Sequence, residues 1–271
     1  MTLGASPAPA SIWLVGCGNM GGAMLRGWIA SGIPSTSITV IDPQLQSLPI
    51  GITCIPHVMP GSPEILVLAV KPQQLAAVAR EFADAGVRAA LLISVLAGVE
   101  EATLDQHFAP DEVVRAMPNL PGSIGQGVVA LHSSGAGPDR RAQAEALMKP
   151  LGLVEWIAAE PLFDAVTALS GSGPGFVYRF IEAMADAGIA LGLPADQAQR
   201  FAIATVEGAA ALADRAADSP AMLAERVASP GGTTRAGLDV LDHDNALKRL
   251  VHETLTAAAK RSAELAAAAR A

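Results

Sequence analysis

The chain is expected to fold as α/β, a doubly wound domain on a parallel sheet followed by an all-α domain, and three observations predict it. Short aliphatic runs recur through the first half with helix-length segments between them, the pattern of strands buried on both faces and joined by crossovers. Those runs stop near Ala158, beyond which Ala, Leu and Glu take over. A glycine-rich turn, Gly16-Cys17-Gly18-Asn19-Met20-Gly21, directly follows the first run and opens the first helical segment. At roughly 150 residues per domain, the 271 residues suffice for two.

Taken in order, strands are expected at 12–15, 38–41, 65–70, 91–95 and 113–116, where the apolar runs are continuous rather than alternating. Segments 20–31 and 73–85 are long enough for crossover helices. Two further strands, 128–131 and 153–157, flank a helix over 138–151 and close the first domain, 1–158, of which residues 1–10 form a loose tail. The second domain, 159–271, reads as helices at 162–169, 174–191, 195–215, 221–227, 235–241 and 245–270, punctuated by Gly-Pro and Ser-Pro. In the last of these Val251, Leu255, Ala258, Ser262, Leu265 and Ala269 recur at spacings of four and three, a coiled-coil-like seam or ordinary core. Apolar residues on more than one helix face call for burial in a homodimer.

Composition narrows the partners. Hydrophobic residues at 51% against 16% charged describe a well-packed chain. With 18 basic and 26 acidic residues the net charge is −8, no footprint for nucleic acid or an anionic membrane. No apolar run approaches the roughly 18 residues of a membrane span. Cys17 and Cys54 make neither a disulfide framework nor a metal site, residues 1–10 lack the pattern of a signal peptide, and a reducing cytoplasm fits best.

The glycine turn carries the first chemistry. Between a strand and a helix, Gly16 permits the tight turn, Gly18 lets backbone approach a pyrophosphate, and Gly21 allows helix to pack on strand, with Asn19 and Met20 opening the helix whose N-terminus attracts phosphate. Asp42 ends the second strand 21 residues after Gly21. There it either binds the ribose 2′-hydroxyl of NADH or starts the Asp-Pro turn. No Lys or Arg follows through Pro56 to neutralise the extra phosphate of NADPH, so local chemistry leans toward NADH. Val70, Lys71 and Pro72 at the end of the third strand, and Ala97 and Gly98 after the fourth, fall where ligands of this fold collect.

Three loops look too specific for plain turns: Arg115-Ala116-Met117-Pro118-Asn119, Ser170-Gly171-Ser172-Gly173-Pro174 and Ser229-Pro230-Gly231-Gly232-Thr233-Thr234. The third is either an anion-binding nest at a helix N-terminus or a helix break with Thr as cap. On these motifs, in this order and from Ile12 to about Leu265, the chain resembles the pyrroline-5-carboxylate reductase family. The resemblance implies a Rossmann dinucleotide-binding domain, a helical dimerisation domain and active sites built from loops of both subunits. It implies that Ser229, Gly232, Thr233 and Thr234 bind the substrate carboxylate, that Glu160 and Thr167 line the pocket, and that Asn119 contacts cofactor. Family members generally prefer NADPH. Arg226 stands where they commonly carry an Asn that reaches the partner's cofactor.

The implied reaction is hydride transfer from NADPH or NADH to the C=N carbon of 1-pyrroline-5-carboxylate. Thr234 and Thr167 are expected to donate or relay hydrogen bonds, with Glu160 stabilising positive charge. The five histidines form no catalytic or metal-binding spacing. Other readings of the layout are an imine reductase, a β-hydroxyacid dehydrogenase, which is disfavoured because 174–187 holds no Lys, and a dinucleotide-sensing module.

Overall fold

The structure, a computed structural model, describes residues 11–44 and 48–270; the tail expected at 1–10 lies outside the described residues. The first part of the chain runs β1 (Ile12–Val15), α1 (Asn19–Ala30), β2 (Ile38–Ile41), β3 (Thr53–Ile55), β4 (Ile65–Leu68), α2 (Leu75–Asp84), β5 (Leu91–Ser94), α3 (Glu101–Phe108), β6 (Glu112–Met117), β7 (Gly127–His132), α4 (Pro138–Met148) and β8 (Gly152–Trp156). The strands form one sheet in the order β3-β2-β1-β4-β5-β6-β7-β8. Strand order reverses beside β1, which pairs with β2 on one side and β4 on the other, and such a switch point opens a crevice at the strand C-termini.

Alternation within each strand divides the core into two layers. Ile65 and Val67 face Met24, Leu25 and Trp28 of α1 and Leu147 of α4, whereas Leu66 and Leu68 face Phe82 of α2 and Leu104 of α3. All four residues of β4 and of β5 are buried, which is why these runs carry no polar alternation. The Trp28 indole N–H donates to the Leu147 carbonyl at 2.7 Å and joins α1 to α4.

Two elements fall outside the sequence expectation. β3 is a three-residue edge strand and α3 carries only two buried residues, Leu104 and Phe108, so neither leaves a strong pattern. The sheet is also mixed. β7 runs antiparallel to β6, with Arg115 opposite His132, because the connection 118–126 is too short for a crossover helix.

Segment 160–171 is broken where one helix, 162–169, is expected. A 3₁₀ turn (Glu160–Leu162) leads into α5 (Phe163–Val166) and then a π-helical turn (Thr167–Gly171). Pro161 shapes the first turn, and the Asn119 amide takes the Ser170 carbonyl at 2.9 Å out of the α-helical ladder.

The chain packs as two compact units. One ends at Gly171 and takes in the chain again from Ala258; the other is Ser172–Ala257. The first unit thus extends past Ala158, where the sequence places the boundary, because Glu160 and Ser170 are bonded to side chains at the end of β6. The second unit holds α6 (Gly173–Ala190), α7 (Ala195–Arg215), α8 (Pro220–Val227), α9 (Thr233–Asp242) and the start of α10 (Ala246–Arg270). Small residues bring α6 and α7 close: Ala185, Ala198 and Ala202 are buried, and a Cβ on Gly188 would stand 3.4 Å from that of Ala198. Val177, Phe180, Phe201 and Val240 are exposed in the single chain. In the last helix Ser262 of the expected seam is bonded within its own chain, to Asp164 at 2.7 Å, while the Ala269 side chain lies outside those described. Among the described residues no helix is long and apolar enough to cross a membrane.

Candidate active site

The glycine turn is shaped by contacts its residue types permit. Gly16 has φ +87°, its N–H donates to the Ile41 carbonyl at 2.9 Å, and a Cβ there would lie 2.7 Å from the Ala69 carbonyl oxygen. A Cβ on Gly21 would lie 2.1 Å from the Gly16 oxygen. Around Gly18 no atom comes within 4 Å of an added Cβ. Gly18 is the N-cap of α1 with no side-chain cap bond, which leaves the first amides of the helix without an intrahelical or side-chain partner. An open glycine, free amides and a helix dipole end fit a dinucleotide pyrophosphate.

A cleft of ≈ 390 Å³ continues from this turn, lined by Gly16, Gly18, Asp42, His57, Val70 and Lys71 among others. Asp42 accepts the Cys17 N–H at 2.7 Å and the Gln44 N–H at 2.8 Å, one on each carboxylate oxygen. It therefore braces the loop as well as facing the cleft. Burial, and next the Asp42 charge, push the Cys17 thiol above its ordinary pKa. Stretch 42–56 carries no Lys or Arg, yet folding brings His57 and Lys71 to the same cleft as Asp42. Of the other residues expected at the cofactor, Asn19 and Ala97 are exposed, Pro72 opens a 3₁₀ turn, and Met20 packs against the core.

A second cavity, of ≈ 290 Å³, is lined by Gly98, Arg115, Glu160, Phe163, Thr167 and Ser262 among others. Gly98 has φ +74°, and a Cβ there would press on the Ala266 backbone at 3.2 Å. Glu160 accepts both the Arg115 guanidinium at 2.7 Å and the Glu101 N–H at 2.8 Å on one oxygen. Arg115 also lies over the Phe163 ring, 4.2 Å from its centroid. Glu160 is thus a paired carboxylate. The Asn119 side chain is committed to the fold, donating to Ser170 and accepting the Val128 N–H at 2.9 Å; its amide atoms already hold protein partners where the resemblance expects a cofactor contact.

Sequence reasoning missed Arg115, Glu101 and His132 as a group. Buried His132 approaches the Ile157 carbonyl at 3.2 Å and Glu101 at 3.8 Å. A signal existed: Arg115 interrupts the run Val113-Val114-Arg115-Ala116, and a charge inside a buried strand requires a partner.

The nest lies in the second unit. Gly231 has φ +71°, and Gly232, the N-cap of α9, donates its N–H to the Ser229 carbonyl at 2.9 Å. A Cβ on Gly232 would stand 2.4 Å from the Ser229 hydroxyl. Thr233 and Thr234 are the first two residues of the helix, which has no side-chain cap; the Thr-cap reading is not the one adopted. Free amides and hydroxyls meet at one helix end. Arg235 braces it through Glu225 and Asp239, both at 3.0 Å, and these carboxylates, the Glu225 bond first, hold its guanidinium still further above its usual pKa. Arg226 is paired with Asp218. Glu160 and Thr167 belong to the first unit, so the structure groups the expected site residues into two sets.

Residues 11–98 match the family described as NADP oxidoreductase coenzyme F420-dependent, and residues 160–265 the family described as pyrroline-5-carboxylate reductase dimerisation. The pyrroline-5-carboxylate reductase of Pseudomonas aeruginosa is 36% identical over 264 residues, covering 94% of this chain and 96% of that protein. The enzyme of that name from Glycine max is 37% identical over 96% of this chain and 98% of its own. The solved structure of a pyrroline-5-carboxylate reductase from Coxiella burnetii aligns with a TM-score of 0.86 at 33% identity, covering 95% of this chain and 98% of that one. The glycine turn, the Arg115 strand end and the Ser229 nest therefore sit in a chain related to these proteins along nearly its whole length, and it belongs to the pyrroline-5-carboxylate reductase family.

Proposed function

We propose that this chain reduces 1-pyrroline-5-carboxylate to L-proline with NADPH or NADH, as a cytoplasmic homodimer or higher homo-oligomer. In this reading residues 1–158 bind the dinucleotide and residues 159–271 provide dimerisation and substrate contacts. The observation that carries it is the nest: Ser229, Gly232, Thr233 and Thr234 converge on a helix N-terminus with uncapped amides, a receptor for a carboxylate. The reduced nicotinamide, when bound, supplies the hydride to the C=N carbon.

The chain's own residues do the rest. Gly18 and the first amides of α1 hold the pyrophosphate, while Asp42, Val70, Lys71, Pro72, Ala97, Gly98 and Asn119 belong to the surrounding walls and strand ends. The Thr167 hydroxyl hydrogen-bonds at the imine nitrogen, the Thr234 hydroxyl at the substrate carboxylate, and the Glu160 carboxylate offsets the positive charge of the imine. Fixing both ends of the substrate orients the C=N carbon for attack. Dimerisation covers the apolar residues exposed on α6, α7 and α9. The test is oxidation of NADPH or NADH, followed by absorbance, on adding pyrroline-5-carboxylate. Turnover supports the reading; cofactor binding without turnover supports a dinucleotide sensor instead.

A further inference from the structure

We propose that Arg115 is a positioning residue for hydride transfer, acting through Glu160; the inference rests on the reading of the site just given. Arg115 lies on β6 with its side chain 8% exposed, deep enough that its charge requires compensation. Its guanidinium is held on one side by the Glu160 carboxylate at 2.7 Å and on another by the Phe163 ring at 4.2 Å. Phe163 and Glu160 flank the short turn that leads to Thr167, and all four residues line the same cavity. Arg115 thus grips the cavity wall at two points just before the π-helical turn that presents Thr167.

The charge matters as much as the grip. A protonated imine is positive before hydride transfer and neutral after it, the positive charge passing to the nicotinamide. An unpaired carboxylate beside the imine would stabilise the reactant more than the transition state, and such preferential ground-state binding slows the chemical step. Pairing with Arg115 tempers the Glu160 carboxylate, while the Glu101 N–H, from the first residue of α3, fixes the same oxygen at 2.8 Å. Glu160 therefore orients the cation without trapping it.

The effect runs through Glu160, so the two substitutions must not add. Arg115→Met should lower kcat at least tenfold while the KM for pyrroline-5-carboxylate stays unchanged or falls, and the dissociation constant of NADPH stays within twofold. In a Glu160→Gln background the same Arg115→Met change should lower kcat less than twofold. Arg115→Lys, which keeps the charge, should recover most of the loss. If Arg115→Met does not fold, the neutral Arg115→Gln is compared in both backgrounds, with a larger kcat loss beside Glu160 than beside the amide expected. Equal losses in the two backgrounds, or a folded Arg115→Met with kcat within twofold of wild type, overturn the inference. A wild-type protein without turnover overturns the functional reading instead, so the two failures are separable.

Discussion

Replacing Gly18 and Gly21 by Ala, one at a time, separates ligand approach from packing in a single motif. The Gly18 site has empty space around an added Cβ, and its φ of −69° suits any L residue. Gly18→Ala should therefore leave stability within about 1 kcal/mol of wild type, the range of a changed N-cap and a stiffer unfolded chain. A methyl group there fills the space through which pyrophosphate oxygens reach the amides of α1, so NADPH and NADH affinity should drop by about 100-fold or more, which is ~2.7 kcal/mol. At Gly21 the order inverts. Its Cβ would sit 2.1 Å from the Gly16 oxygen, so Gly21→Ala forces the helix away from β1 and should cost about 2 to 4 kcal/mol of stability, in the upper range of single-site effects. Urea denaturation reads the stability of each variant and calorimetric titration reads cofactor affinity. Wild-type affinity in Gly18→Ala refutes the assignment of this turn to the pyrophosphate.

Asp42→Ser should raise the ratio of NADPH to NADH kcat/KM, by removing a charge that opposes a 2′-phosphate, and should also lower stability by roughly 1 to 3 kcal/mol because the Cys17 and Gln44 amides lose their acceptor; an unchanged ratio shows that Lys71 or His57 governs the choice. Thr234→Ala should cut kcat/KM for pyrroline-5-carboxylate about tenfold, the weight of one charge-assisted hydrogen bond, while 1-pyrroline, which has no carboxylate, should respond little; equal slowing of both imines moves Thr234 to the reacting nitrogen. The raised Cys17 thiol pKa means that the folded state keeps its proton where the unfolded chain has begun to lose it. The stability this confers is complete below the unfolded thiol pKa, about 8.5, and is lost as pH rises through the folded value. Iodoacetamide at pH 8 should accordingly label Cys17 far more slowly in the native protein than in urea, as peptide mass spectrometry would show.

What the sequence disclosed follows from how each feature is encoded. Strands buried on both faces need unbroken aliphatic runs, so Ile65 to Leu68 and Leu91 to Leu92 were legible, as was the glycine turn, whose spacing is imposed by contacts with Gly16 and Ala69. β3 and α3 were not, because an edge strand and a helix with two buried residues leave no strong period. The break in 160–171 depends on Asn119 reaching Ser170, 51 positions away, a bond no local pattern announces. In the site, the nest and Asp42 could be named from residue type and position. The pairing of Glu160 with Arg115 across 45 positions could not, although a charge within an apolar strand pointed to a missing partner.

Tracing the hydride tests the central claim most directly. The protein is incubated with pyrroline-5-carboxylate and NADPH or NADH carrying deuterium at the transferable C4 position, and the product is analysed by mass spectrometry. L-Proline heavier by one mass unit, with deuterium on the ring carbon remote from the carboxylate, is the predicted result. Cofactor that binds but stays reduced, or proline formed without deuterium from either cofactor, would contradict it.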